Sequence, residues 1–227
     1  MLRSLARMTG AAGAEARAGR VLSVNVGSRR ITDYADGPGG QTGIDKQPTI
    51  DRVAVSDSGV DGDYIGNRRV HGSPEQAVYA YAVEDARWWA DELGRALGAG
   101  AFGENLTTAG IDVTEAVIGE RWAVGGAVLQ VTKPREPCMT FAGFWGIPDL
   151  IKRFTHHGAP GAYLRVLTPG TVGADDTIEI VHRPDHGVTI GETFRALNGH
   201  PELLPNLLAA TDLPDRLYAK IKRRVRA

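Results

Sequence analysis

The residue with the greatest chemical potential is Cys138, the sole cysteine of the sequence, which ends the segment 133–138 (KPREPC). Each proline fixes its own φ and biases the preceding residue toward extended backbone, so the thiol is held on a stiff loop. The nearby Arg135 favours the thiolate, the form that acts as a nucleophile or binds a soft metal. From the residues alone Cys138 is therefore a metal ligand, a nucleophile or a small buried hydrophobe.

Three further segments are richer in glycine and polar residues than a core requires. They are residues 43–48 (GIDKQP), residues 59–63 (GVDGD) followed by His71-Gly72, and residues 102–110 (FGENLTTAG). Each could offer backbone N–H groups, a cation or hydroxyls to an anionic ligand at the rim of a barrel. Each is also an ordinary turn sequence when taken singly.

Other common catalytic and cofactor-binding motifs are either absent from the sequence or placed at the wrong elements. The glycines of residues 98–103 (GAGAFG) follow a predicted helix, whereas a dinucleotide fingerprint must follow a strand and open a helix. There is no Walker A sequence and no Gly-x-Ser-x-Gly elbow. A single cysteine excludes an intrachain disulfide, a Cys-rich zinc site and an all-Cys iron–sulfur cluster.

The elements that must position these residues are mostly short strands. Apolar and polar residues alternate from Val21 to Val26 with the period of a half-buried strand. Similar runs predict strands at residues 53–55, 128–132, 163–167 and 177–181. Gly-rich turns separate them without regular strand–helix alternation, which favours a mainly β fold, a barrel or a sandwich.

Helix signals interrupt this pattern. Ser73, Pro74 and Gln76 form a capping box that predicts a helix continuing to about Leu97, with Trp88, Trp89 and Tyr81 packing in the core. A shorter helix is expected over residues 148–157, stopped by a glycine.

Three short helical units are predicted beyond residue 187, namely residues 189–198, residues 201–210 and a last helix beginning at residues 212–215. Forty residues bury too little surface to fold alone, so we expect them to pack on the barrel or on a partner. The final helix ends in a run of basic residues: Arg216, Lys220, Lys222, Arg223, Arg224 and Arg226. This run is either a solvated helix face or a docking site for an acidic partner.

Composition excludes several function classes. The 227 residues carry a net charge of −1, so no global field recruits nucleic acid, and no apolar run reaches the length of a membrane span. Residues 1–20 lack the apolar core of a secretory signal and are expected to form a disordered tail, with a transit peptide as the alternative. We therefore expect a cytoplasmic protein that binds neither nucleic acid nor membrane.

Taken in order, the motifs GIDK, GD followed by His71-Gly72, FGENLTT and PREPC resemble the MOSC domain family in its YiiM-type form. Ser73 departs from the second glycine usual after the His-Gly pair. The resemblance implies a MOSC β-barrel with interspersed helices over residues 21–184 and a small all-α three-helix domain over residues 187–227.

The resemblance also implies that the barrel binds the pyranopterin molybdenum cofactor, with Cys138 as the protein ligand to molybdenum. We expect Lys46 and Arg135 to meet the cofactor phosphate, a role suited to cations. Asn105 and Thr107 are expected to hydrogen-bond the pterin.

The activity implied by the resemblance is the reduction of small N-hydroxylated compounds, N–OH to N–H. His71 and Glu104 are then candidate proton relays, or structural residues. Because the chain has no nicotinamide fingerprint, electrons are expected from a separate reductase. A carrier of the cofactor or of sulfur, and a cysteine hydrolase using Cys138 with His71 as base, are the alternatives. Whether the protein forms a homodimer stays open.

Overall fold

The computed structural model describes residues 18–226. Most of the tail expected over residues 1–20 lies outside the described residues, so that expectation stays a prediction up to residue 17. Gly19 and Arg20 already belong to the first strand, which begins two residues before the alternating pattern.

The regular structure is divided about equally between short strands and helices. The strands are β1 (Gly19–Gly27), β2 (Arg30–Ile31), β3 (Gln41–Thr42), β4 (Lys46–Pro48), β5 (Val53–Ser56), β6 (Gly59–Val60), β7 (Val78–Ala82), β8 (Leu106–Ala109), β9 (Arg121–Val124), β10 (Ala127–Pro134), β11 (Ala162–Thr168), β12 (Gly170–Val172) and β13 (Thr177–His182). The helices are α1 (Arg68–His71), α2 (Val83–Leu93), α3 (Met139–Trp145), α4 (Leu150–His157), α5 (Ile190–Leu197) and α6 (Asp215–Arg226). All five strands expected from the alternation are present.

Seven strands close into a barrel, which confirms the expected fold. The order around the barrel is β1, β13, β9, β10, β11, β7, β8 and back to β1, and β4 extends the sheet from β1. The β7–β8 pair is parallel, and the other pairs are antiparallel. Closure leaves the barrel without a free edge except where β4 is added.

The helix expected from residue 73 to about residue 97 is wrong in its first half. A 3₁₀ turn (Pro74–Gln76) is followed by strand β7, and the helix begins only at Val83 and ends at Gly94 in the left-handed conformation. All five residues of β7 are buried, because one face (Val78, Ala80 and Ala82) packs in the barrel core and the other (Tyr79 and Tyr81) packs in an aromatic cluster outside it. A fully buried strand has no alternation, so its apolar run fits helical spacing equally well.

Aromatic residues form a second core beside the barrel, between β7 and helices α2, α3 and α4. Tyr81 and Phe102 stack with ring centroids 4.0 Å apart, and Trp89 packs against Trp145 and Phe154. Tyr81 and Trp89 are fully buried as expected, whereas Trp88 is 44% exposed. This cluster fixes α3, the helix that follows Cys138.

The C-terminal segment packs on the barrel. Thr189 caps α5 by accepting a hydrogen bond from the Glu192 N–H at 3.1 Å, as its sequence predicts. The second expected unit is a pair of 3₁₀ turns (Pro201–Leu203 and Asn206–Ala209) rather than a helix. Ile221 of α6 belongs to the same buried cluster as the barrel interior. Among the described residues, no helix is long and apolar enough to cross a bilayer.

Candidate functional site

A cleft of about 810 Å³, solvent at its mouth included, brings together most of the residues that the motifs singled out. Its walls come from β4, the loop before α1, β7, the loop after β10 and β11. Cys138, Arg135, His71, Lys46 and Asn105 all line it. Glu104 and Thr107 are not among the lining residues.

Cys138 occupies the junction between β10 and α3. Its backbone is extended (φ −132°, ψ 169°), and its carbonyl accepts the Ala142 N–H at 3.1 Å, which makes it the N-cap residue of α3. The side chain is half-buried in the wall of the cleft. The thiol is thus held by a strand end on one side and a helix start on the other, as the two prolines of the loop predict.

Arg135 carries a buried positive charge into the cleft. The residue is 5% exposed, and its guanidinium carbon lies 3.9 Å from the centroid of the Phe141 ring. Its Nη1 is buried without a hydrogen-bond partner among the described residues. A buried charge that lacks a partner is costly, and a phosphate or carboxylate of a bound ligand would supply the missing acceptor.

Lys46 is not a free cation. Its ammonium group is ion-paired with Asp63, and both side chains are less than 10% exposed. Asp63 also accepts hydrogen bonds from the Gly27 N–H at 2.7 Å and from Asn105 Nδ2 at 3.0 Å. The expected phosphate contact by Lys46 therefore competes with a neutralising carboxylate, which Asp63 supplies from the glycine-rich segment 59–63.

The amide of Asn105 is used by the protein itself. Its Oδ1 accepts the Tyr79 N–H at 3.1 Å, and its Nδ2 donates to the Asn25 carbonyl and to Asp63. The side chain thus joins β7 to β1 within the cleft wall. Both amide hydrogens already have partners in this structure, and the expected hydrogen bond to a pterin stays a prediction.

Glu104 and Thr107 form a closed polar cluster behind the cleft. Glu104 is 2% exposed and accepts hydrogen bonds from the N–H groups of Gly100 at 2.6 Å and Phe102 at 2.9 Å, and from the Thr107 hydroxyl at 2.7 Å. Burial raises the pKa of Glu104 although these hydrogen bonds act to lower it. The carboxyl group holds the turn before β8 in place, which supports the structural alternative, and the proton-relay role stays a prediction.

His71 lies at the end of α1 and faces the cleft. Burial and then the positive charge of Arg135 lower its pKa from the usual 6.5. The imidazole is consequently neutral at neutral pH, which allows it to accept one proton and donate another.

Two features of the cleft have no clear sequence signal. Tyr163 of β11 lines the cleft, and burial raises the pKa of its hydroxyl. Thr140 and Asp36 exchange two hydrogen bonds, of 2.8 and 3.1 Å, which fasten the loop before β3 to the start of α3. Tyr163 gives no signal because aromatic residues are common in strands. Asp36 gives none because its partner Thr140 is more than a hundred residues away in the sequence.

The metal-ligating potential of the cleft rests on one thiol. Within residues 18–226 there is no group of three or more His, Cys, Asp or Glu side chains placed to hold a metal ion.

Comparison with known proteins places these features in a family. The sequence profile of the MOSC domain matches residues 67–179. The YflK protein of Bacillus subtilis strain 168 is 35% identical over 170 residues, which are 75% of this chain and 76% of YflK. Protein YiiM of Escherichia coli K12 is 31% identical over 163 residues, covering 70% of this chain and 72% of YiiM.

A fungal protein named reductase, from Gibberella moniliformis, is 31% identical over 200 residues, but these are only 35% of its own length. Among crystal structures, YiiM from Geobacillus stearothermophilus superimposes with a TM-score of 0.76 at 26% identity, over 91% of this chain and 99% of that one. YiiM from Escherichia coli gives 0.71 at 26% identity, over 91% and 93%. With a shared barrel and relatives that match over most of their length, the chain belongs to the MOSC domain family, among the relatives of YiiM.

Proposed function

We propose that this protein is an oxidoreductase that holds a pyranopterin molybdenum cofactor in the cleft and reduces N-hydroxylated compounds. The observation that carries the proposal is the pairing, in one cleft, of the Cys138 thiol with the buried and unpartnered guanidinium of Arg135. MOSC domains are associated with this cofactor, and the fungal relative named reductase supports the class of reaction.

The residues of the cleft fit such a group chemically. A thiolate is a ligand that soft and redox-active metals prefer, and Cys138 is the thiol available in the wall. A single protein thiolate suits a metal that arrives with sulfur ligands of its own, as this cofactor does. The cofactor phosphate would give Arg135 Nη1 the acceptor that it lacks.

The reaction needs two electrons and two protons: R₂N–OH + 2e⁻ + 2H⁺ gives R₂NH + H₂O. When bound, the cofactor supplies the two-electron redox chemistry. The protein's own part is to orient the substrate against the Cys138 side of the cleft and to deliver protons to the hydroxyl oxygen that leaves as water. We assign this role to His71, because a neutral imidazole in the cleft can take a proton from solvent on one ring nitrogen and then release the proton of the other nitrogen toward the substrate.

The direct test is turnover of benzamidoxime by the full chain, expressed in a host that makes the cofactor, with reduced methyl viologen as electron donor. We expect benzamidine to accumulate, and His71→Gln to slow turnover by roughly 100-fold. His156→Gln, which alters a histidine outside the cleft, is the matched control and should keep full activity. Molybdenum bound without turnover would instead identify a cofactor carrier, and turnover by metal-free protein would exclude the proposal.

A further inference from the structure

The last helix, α6, concentrates positive charge on the surface. Its six cations are all exposed: Arg216, Lys220, Lys222, Arg223, Arg224 and Arg226. The helix contains one acid, Asp215, and none of the six cations is in an ion pair with another described residue. The six cations lie within twelve residues, whereas the whole chain has a net charge of −1. The positive potential is therefore confined to α6 and does not extend over the whole protein.

The opposite face of α6 is already occupied. Ile221 is fully buried, and Leu217 and Val225 pack against the same cluster that fills the barrel. A helix that lies on a bilayer needs its apolar face free to enter the lipid. The apolar face of α6 is therefore not available for insertion into lipid.

Three of these cations form a row along the helix. Arg216, Lys220 and Arg223 are spaced i, i+4 and i+7 and so share one face of the helix; we call them the basic stripe. Lys220 is near enough to Glu136 for its charge to lower the pKa of that carboxyl, against the stronger effect of burial.

Glu136 itself lines the cleft, two residues before the thiol. Asn198, at the end of α5, donates a hydrogen bond to its Oε2 at 3.3 Å. The C-terminal segment, of which α6 is the last helix, thus contacts the loop that carries Cys138.

We propose that the basic stripe is the docking surface for a small acidic electron-carrier protein. This inference rests on the proposed function, whose reaction consumes two electrons. Two reduced carriers each lose one electron, solvent supplies two protons, the N–O bond breaks and water leaves. An acidic carrier is selected by charge complementarity, and docking on the segment that contacts the Cys138 loop brings its redox centre toward the site of reduction.

The test compares two charge-reversed variants of α6 that change net charge equally. Arg216→Glu with Arg223→Glu disrupts the basic stripe, whereas Lys222→Glu with Arg226→Glu alters a different face of the same helix. Each full-length, cofactor-loaded variant reduces benzamidoxime with either reduced flavodoxin, as an acidic carrier probe, or reduced methyl viologen. Circular dichroism confirms that the helix is retained.

We expect the flavodoxin-driven kcat/KM to fall by about tenfold or more in the stripe variant and by less than about threefold in the control variant at low salt. Raising the ionic strength should shrink this difference, because exposed charges are then screened. The methyl viologen rates should not change.

Equal flavodoxin rates in both variants, or no flavodoxin-driven turnover in a protein active with methyl viologen, would overturn the docking surface alone. Loss of methyl viologen turnover in unmodified protein would instead remove the proposed function. Binding of duplex DNA that depends on the stripe, together with unchanged flavodoxin rates, would assign the patch to nucleic acid and also overturn the inference.

Discussion

At the residue scale, Arg135 is the feature of the cleft that is hardest to explain without a ligand. Arg135 is 5% exposed, and its buried Nη1 has no hydrogen-bond acceptor among the described residues. A bound anion would supply that acceptor and neutralise the buried charge. Its contact with the Phe141 ring offsets part of the cost of burial, since cations are attracted to ring faces.

Replacing Arg135 by glutamine should therefore separate binding from stability. We expect Arg135→Gln to retain at least about tenfold less molybdenum, because one charge-assisted hydrogen bond to the phosphate is lost. The melting temperature of the cofactor-free protein should shift by only a few degrees, as the lost ring contact and the removed desolvation cost oppose each other. Arg87→Gln, at an exposed position on α2, is the control for both measurements.

The sequence predicted the thiol side of the cleft better than the polar side. Cys138 and Arg135 could be identified because a stiff loop and rare residue types are visible in one segment, and His71 was singled out by the His-Gly pair of another segment. The sequence does not show in which direction each polar side chain of the segment 102–110 points. Glu104, for example, points away from the cleft and accepts hydrogen bonds from backbone N–H groups of its own turn. The role of Asp63 could not be predicted either, because only the folded barrel brings it next to its partner Lys46.

At the element scale, strand β7 and helix α2 show where local signals fail. The residues from Pro74 to Leu93 fit one amphipathic helix, yet pairing with β8 and β11 makes the first half a strand. Burial on both faces removes the alternation by which strands are recognised. The start of α2 is consequently displaced by about ten residues from the predicted start. In contrast, α4 ends at the predicted glycine and α5 begins at the predicted threonine cap.

Asp85, in the first turn of α2, gives this element a pH dependence. Burial, followed by the charges of Asp112 and Glu84, raises the pKa of Asp85 to about 6. The folded state therefore binds a proton that the unfolded state releases between pH 3.8 and about 6, and the stability this provides is lost as pH rises through 6.

Replacing Asp85 by asparagine should stabilise the protein at pH 8 by up to ~3 kcal/mol, and the gain should vanish near pH 4. The measurement is the free energy of unfolding in urea at both pH values. Asp91→Asn, at an exposed position of the same helix, should change little at either pH. A gain of equal size at pH 4 and pH 8 would contradict the assigned charge effect.

At the scale of the whole molecule, the C-terminal segment and the barrel share one core. Ile190, Leu207 and Ile221 lie in the same buried cluster as Val24 and Leu129 of the barrel. The sequence predicted that the apolar faces of this segment must be covered, because forty residues cannot cover them alone. It did not predict that α5 would also hold Glu136, a contact made by the fold and not by a motif.

A shared core predicts one cooperative unfolding transition. Ile221→Ala should lower the free energy of unfolding by about 2–5 kcal/mol, with tryptophan fluorescence and helical circular dichroism changing together. Lys222→Ala, its exposed neighbour, should change it by less than about 0.5 kcal/mol. Two resolved transitions in calorimetry would show instead that the C-terminal segment folds independently.

The most direct measurement of the central claim is the molybdenum content of the purified full chain and of Cys138→Ala, both expressed in a host that makes the cofactor. We predict near-stoichiometric molybdenum in the unmodified protein and a large loss in Cys138→Ala. The melting temperature of cofactor-free protein should be similar for both, since a half-buried loop thiol contributes little to the core. Equal molybdenum in the two proteins, or none in either, would contradict the assignment of Cys138 as the metal ligand of this cleft.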